Sequence, residues 1–235
     1  MLLAHLQEIN AARDARRAAV TITDLDTGST RLFREKEVFD PPVSSALESA
    51  LRTGKSGIVE TGGRSVFINV YLPSPRIVAI GAGHISQALA GMAAIAGFEL
   101  TIIDPRDSFA SPERFGPAQC LTERPEDVFQ RTPLDAYTAM VAVSHDPAID
   151  DFPLMKAIAA GCFYVGALGG KKSHAKRVER LAKLGLDDAA IARIHGPIGL
   201  DIRASNPAEI AVAILADIIL TLRTRNVTGT LDEAS

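Results

Sequence analysis

Gly81-Ala82-Gly83-His84-Ile85-Ser86 is the segment whose residue types and spacing point most directly to chemistry. It follows an apolar run and opens a helical pattern, the setting in which a glycine turn receives phosphate. Gly81 permits a tight turn, Gly83 lets a ligand approach the backbone, and the amides at the helix start favour an anion. Ser86 stands where the dinucleotide fingerprint prefers glycine or alanine, and its hydroxyl either loosens helix–strand contact or donates to a phosphate. Asp104 lies 23 residues after Gly81, at the end of the second strand expected in this region, where a carboxylate can hold ribose hydroxyls. Arg106 is placed to meet a phosphate, NAD and NADP both remaining open. The plainer reading is that Asp104-Pro105 simply ends the strand.

Three further constellations belong with this turn. Ser144-His145-Asp146 closes another strand at the carboxyl edge, where open α/β sheets bind ligands. His145 there, or His84 inside the glycine turn, can carry a proton near neutrality. Asp146 can instead cap the following turn, and the adjacent order is not a hydrolase triad, whose members meet through folding. Gly169-Gly170-Lys171-Lys172-Ser173 lacks P-loop spacing, yet its glycines, helix-start amides and lysines make an anion cradle. Lys176, Arg177, Arg180 and Lys183 extend the positive charge, or else form a solvated basic face. In the segment from His195 to Asp201, Pro197 and Gly199 imply a set backbone path and Asp201 offers a carboxylate, so this loop is expected to line the same cleft. His5 and His174 read as surface residues, and no His, Cys, Asp and Glu set has metal-site spacing.

The elements that must position these residues change character at Pro73-Ser74-Pro75. Before it, helical spacing of Leu2, Leu3, Leu6 and Ile9 predicts an amphipathic helix over the first 17 residues. Short strands follow at 19–23 and around Leu32-Phe33, then a helix opening at Pro41-Pro42, then a hairpin across Gly62-Gly63. From Arg76 onward, strands at 77–80, 100–103, 139–143 and 163–168 alternate with helices. One helix starts at Ile85, one spans 153–160, two cover 173–184 and 187–194, and the last begins at Asn206 with an N-x-x-E capping pattern. Between Asp104 and Thr138 only a short helix at 125–130 is legible. Alternating strands and helices predict an α/β fold, a Rossmann-like doubly wound parallel sheet with a small N-terminal α+β unit. The expected domains are 1–74, 75–225 and a flexible tail at 226–235.

A net charge of −3 removes a bulk electrostatic case for nucleic acid. No apolar run reaches the length of a membrane span, and the first 20 residues lack a secretory pattern, so a cytoplasmic protein is expected. Cys120 and Cys162, 42 positions apart, form neither a redox pair nor a zinc framework, and read as reduced thiols.

The stretch GAGHISQALA at 81–90 resembles the XdhC/CoxI family, accessory proteins of molybdenum hydroxylases such as xanthine dehydrogenase. YVGALGGKKSHAKRVER at 164–180, IHGPIGLDIR at 194–203, NPAEIAVAIL at 206–215 and VFINVYLPSPR at 66–76 carry the resemblance further. It implies a chaperone that binds a molybdopterin-type molybdenum cofactor, supports its sulfuration by a cysteine desulfurase and delivers it to an apo molybdenum hydroxylase. On that reading His145 can donate to a pterin ring, and the Gly169–Lys172 cradle can take the cofactor's phosphate. Longer members carry a Ser-Gly-Gly-Cys segment; here Gly62-Gly63 is followed by Arg64. The alternatives are an NAD(P)-dependent oxidoreductase and a nucleotide-sensing module. Base rates favour a homodimer.

Overall fold

The computed structural model describes residues 3–34, 41–61, 63–106 and 114–225; the tail expected at 226–235 lies outside them. Two compact units result, with Ser74–Leu222 forming one and the rest of the described chain the other.

The smaller unit runs α1 (Leu3–Asp14), β1 (Ala19–Asp24), β2 (Thr30–Arg34), α2 (Pro41–Thr53), β3 (Gly57–Thr61) and β4 (Arg64–Tyr71). Its four strands form one antiparallel sheet in the order β2-β1-β4-β3. The β1–β2 turn is held by Asp24, whose Oδ1 accepts the amides of Asp26 at 3.0 Å and Thr27 at 2.8 Å. Thr61 pairs with Arg64, closing the second hairpin at the expected place.

The larger unit runs β5 (Arg76–Ile80), α3 (His84–Ile95), β6 (Glu99–Ile103), β7 (Gln119–Leu121), α4 (Pro125–Arg131) and β8 (Thr138–Ala142). It continues through α5 (Pro147–Ala159), β9 (Tyr164–Ala167), α6 (Lys171–Lys183), α7 (Asp188–Ala192), β10 (Ile194–His195) and α8 (Pro207–Thr224). All six strands are parallel, in the order β10-β9-β8-β5-β6-β7. Counted from β5, this is the doubly wound 3-2-1-4-5-6 order of the Rossmann fold, with the reversal between β5 and β8.

Helices cover both sides of the sheet, which is why its strands read as unbroken apolar runs. Ile77, Ala79, Ile102 and Val141 pack on one face against Leu89 and Ala93 of α3 and Ile214 and Ile218 of α8. Val78, Ile80, Ile103 and Met140 pack on the other against Leu154 and Ala157 of α5 and Leu181 of α6. Burying each of the larger aliphatic side chains contributes roughly 1.5–3 kcal/mol.

Three elements depart from expectation. β7 and β10 are three and two residues long, too short for a periodic signal. α5 begins at Pro147 rather than Pro153, because Asp146 caps it through the Ala148 amide at 3.0 Å and Pro147 takes the first helical position. Pro153 lies inside that helix.

The capping pattern at α8 forms as expected. Asn206 Oδ1 accepts the Glu209 amide at 3.0 Å, and Asn206 Nδ2 donates to Glu209 Oε1 at 2.8 Å. Asn206→Ala removes this cap, with an expected loss of about 1 kcal/mol. Thermal unfolding then shows a melting temperature lower by about 2–4 °C; an unchanged value removes the cap from the stability account.

Candidate functional site

The carboxyl ends of β5 and β8 meet at the point where strand order reverses. Gly81 leaves β5 at φ +109°, and a Cβ there would stand 2.7 Å from Ser144 Cα and N. Both the backbone angle and the space therefore require glycine. Gly83 differs: its φ is −84° and an added Cβ would meet nothing within 4 Å. It caps α3 without a side-chain hydrogen bond, so the first-turn amides of that helix face the opening without a side-chain cap. His84 is exposed at the first helical position.

Two residues expected to reach a ligand here turn inward instead. Ser86 is fully buried and its hydroxyl donates to the Gly81 carbonyl at 2.5 Å. The Asp104 carboxylate is also fully buried. Its Oδ2 accepts the Ala82 amide and Arg106 Nη2, each at 2.8 Å, while Oδ1 accepts Arg106 Nε at 2.8 Å and the Arg106 amide at 3.1 Å. Burial works to raise the Asp104 pKa, but Arg106 and the Ala82 amide outweigh it and hold the group below its ordinary value. This carboxylate ties the glycine turn to the end of β6; it is closed to ribose hydroxyls.

On the β8 side, Ser144 Oγ donates to Asp150 Oδ1 at 2.7 Å and accepts the Asp146 amide at 3.0 Å. These bonds hold the turn in which His145 adopts φ +66°, an uncommon angle for a residue with a side chain. His145 is exposed and lines two neighbouring cavities. Among the described residues neither His84 nor His145 is oriented by a side-chain hydrogen bond, so no acid–base pair is assembled around them.

The larger cavity, about 490 Å³, gathers His145, Gly169, Gly170, Lys171, Pro197, Gly199 and Asp201 of the expected residues. Ile198, Leu200, Ile202 and Ile210 supply its apolar wall. Lys172 is exposed and outside this lining. The loop that forms one side is anchored by a partly buried network absent from the sequence reading. Tyr164 donates to Asp217 Oδ2 at 2.9 Å, and His195 Nδ1 lies 2.9 Å from the same oxygen. Burial first, then the Asp217 charge, push the Tyr164 phenol well above its usual pKa, so it stays a donor. Gly199, at φ +83°, lets the loop pass α8 where a Cβ would come within 2.9 Å of the Ala213–Ile214 backbone. His174, expected at the surface, packs its ring against Gly196. A second cavity of about 470 Å³ sits by the amino ends of β6 and β7, away from the glycine turns.

The smaller of the two cavities at the carboxyl edge, about 210 Å³, brings Lys176, Arg177 and Arg180 of the expected basic residues together with Asp150, which sequence reasoning passed over. Asp150 is 2% exposed, and burial pushes its pKa up to about 6 against the pull of Ser144 and Arg177. Arg177 is 6% exposed; Nη2 donates to the Leu168 carbonyl at 2.7 Å, while Nε and Nη1 are buried without a partner. Arg180 is held by Asp151 through contacts of 2.8 and 3.0 Å. An aspartate inside an apolar helix start and an arginine at i+4 from Ser173 were the available signals, but burial is not written in a charged run.

Asp150→Asn keeps the shape and removes the titration. The folded protein holds the Asp150 proton more tightly than the unfolded chain, whose carboxyl titrates near 3.8. This group therefore destabilises least below about pH 4, and stability is lost as pH rises through 6. The variant should gain up to about 3 kcal/mol over the parent above pH ~7 and little near pH ~4. Melting curves across that range check it; a gap that does not widen with pH contradicts it.

Comparison with known proteins agrees with this geometry. The XdhC Rossmann domain matches residues 77–218. The chain is 32% identical over 158 residues to YqeB of Escherichia coli K12, and 30% identical over 158 residues to a Bacillus subtilis protein named as a probable xanthine dehydrogenase subunit. Each alignment covers 67% of this chain, but only 29% and 46% of those relatives. The molybdenum cofactor insertion chaperone PaoD of E. coli is 26% identical over 148 residues, 63% of this chain and 40% of PaoD. A crystal structure of a xanthine dehydrogenase from Bacillus halodurans superposes with a TM-score of 0.63 at 21% identity, covering 96% of this chain and 66% of that one. With its glycine turn at the strand reversal and a family match over most of the larger unit, the chain belongs to the XdhC family.

Proposed function

We propose that this chain is a maturation chaperone that holds a molybdopterin-type molybdenum cofactor as cargo and passes it to an apo molybdenum hydroxylase of the xanthine or CO dehydrogenase kind. The observation that carries the reading is the 490 Å³ cavity at the carboxyl edge. Its size suits a small organic ligand. Its apolar wall can cover a ring system, while Gly169, Gly170, Lys171, His145 and Asp201 offer polar partners around it. Names among the relatives, one a cofactor insertion chaperone, support the same direction.

The residues favour holding over chemistry. His145 stands at the rim without an orienting partner, and the acidic group that a dinucleotide's ribose needs is closed off at Asp104. Burial pushes the Cys162 thiol up to about 12 and raises Cys120 as well, so neither is a ready nucleophile. Sulfur for the cofactor then comes from a partner, a cysteine desulfurase on this proposal. A cytoplasmic setting and a homodimer belong to the same reading.

Mass spectrometry of the ligand released from the natively purified full chain tests this. A molybdenum-bearing pterin is expected, together with loss of hydroxylase activity in cells lacking the protein. Gly170→Val points a side chain into open space beside the cavity, since a Cβ there meets nothing within 4 Å. It should reduce retained pterin about tenfold or more, roughly 1.4 kcal/mol of binding, with little change in melting temperature. Protein free of pterin, with hydroxylase activity indifferent to its loss, refutes the proposal.

A further inference from the structure

The smaller cavity at the carboxyl edge has a composition unlike the larger one. Its wall is charged, built from one face of α6, where Ser173, Lys176, Arg177 and Arg180 follow at i, i+3, i+4 and i+7, and from Asp150 of α5 opposite. Of these charges Arg180 is already matched by Asp151. Arg177 is not matched: it is 6% exposed, only its Nη2 is bonded, and that bond goes to a neutral carbonyl. Asp150 acts on it electrostatically without reaching ion-pair distance and is itself a group whose charge burial disfavours. A buried guanidinium with two unbonded nitrogens and no carboxylate at ion-pair distance is unfavourable as it stands, and a bound anion would satisfy both. α6 adds to the attraction, because Gly170 caps it without a side-chain bond and its first-turn amides carry the positive end of the helix dipole.

We infer that the cavity bounded by Asp150, Ser173, Lys176 and Arg177 is a phosphate subsite, taking the phosphomonoester end of a ligand whose organic body lies in the adjoining larger cavity. His145, Leu168 and Gly169 line both spaces, so one molecule can occupy them together. A volume of about 210 Å³ is ample for a phosphate and lies below the range of pockets that hold a whole organic ligand. The subsite sits one turn further along α6 than the Lys171-Lys172 pair, and apart from the glycine turn at Gly81. Identification of the body with the pterin of the cargo rests on the function proposed above; the anion site itself does not.

Calorimetric titration of the full chain with inorganic phosphate at low ionic strength tests the site. The parent protein should bind, more weakly as salt rises. Lys176→Glu should weaken binding about tenfold or more, and Arg177→Met likewise. Asp150→Asn should strengthen it several-fold, an effect of opposite sign from the same wall. Gly83→Val, which closes the other glycine turn, separates the two anion sites: phosphate binding that survives it belongs to this cavity. If Arg177→Met does not fold, the exposed Lys176 and the isosteric Asp150 change decide the matter. Guanosine monophosphate, whose base shares the amino-oxo pyrimidine edge of a pterin, should bind more tightly than phosphate, and guanosine more weakly. Phosphate binding equal to or tighter than that of the nucleotide means free phosphate is the occupant, overturning the assignment of a monoester end. No binding by the parent, affinities indifferent to Lys176 and Asp150, or loss of binding in Gly83→Val overturns the site itself. Pterin recovered from a protein with no such anion binding leaves the chaperone reading standing and the phosphate subsite fallen. Anion binding by a protein that carries no pterin does the reverse.

Discussion

The larger unit depends on one close approach of two backbones. Gly81 and Ser144 end neighbouring strands whose crossovers leave to opposite sides of the sheet, and no side-chain atom fits between them. A crevice opens there because the connections diverge. It stays narrow at its base because Gly81 has no Cβ. Around that point the chain commits its polar groups to fixing the two turns. Ser86 and Asp104 hold the first, and Ser144, Asp146 and Asp150 hold the second.

Helix starts in this unit divide by how they are capped. α5, α7 and α8 begin at Asp146, Asp187 and Asn206, whose side chains accept first-turn amides. α3, α4 and α6 have no side-chain cap: α4 begins at Arg124, whereas α3 and α6 begin at glycines, and those two lie at the ligand-binding edge of the sheet. A side-chain cap is worth about 1 kcal/mol, so leaving α3 and α6 without one is a stability loss in exchange for open donors.

Much of this was legible before the structure. Unbroken apolar runs at 77–80 and 139–143, a glycine turn between strand and helix, and Asn206-Pro207 ahead of Glu209 each have a local physical cause, and each formed. What failed to show was decided by distant partners. Pro153 looked like a helix start because proline favours the first turn, yet Pro147 with Asp146 ahead of it had the stronger claim. β7 and β10 exist only because a neighbouring strand offers a ladder to two or three residues. Asp104 and Ser86 had the right types and spacing for ligand contact, and only packing shows them turned inward. Arg177 sat within a basic run that reads as a solvated face, while its burial follows from α6 pressing on the loop at Leu168. The Tyr164–Asp217–His195 network joins residues 53 and 22 positions apart, beyond the reach of any local pattern.

The bond from Ser86 to the Gly81 carbonyl has an effect reaching past local order. With that oxygen occupied from behind, the Gly83 carbonyl taken by Gln87, and the Gly81 and Ala82 amides bonded to Ile103 and Asp104, the donors left to a visitor are those at the start of α3. Such a surface sorts visitors by polarity before shape matters. Electron-rich oxygens are favoured over cations there, because helix-start amides can only donate. Selectivity of this kind needs no particular side chain at the mouth of the crevice, so the surrounding loops are left at liberty to diverge.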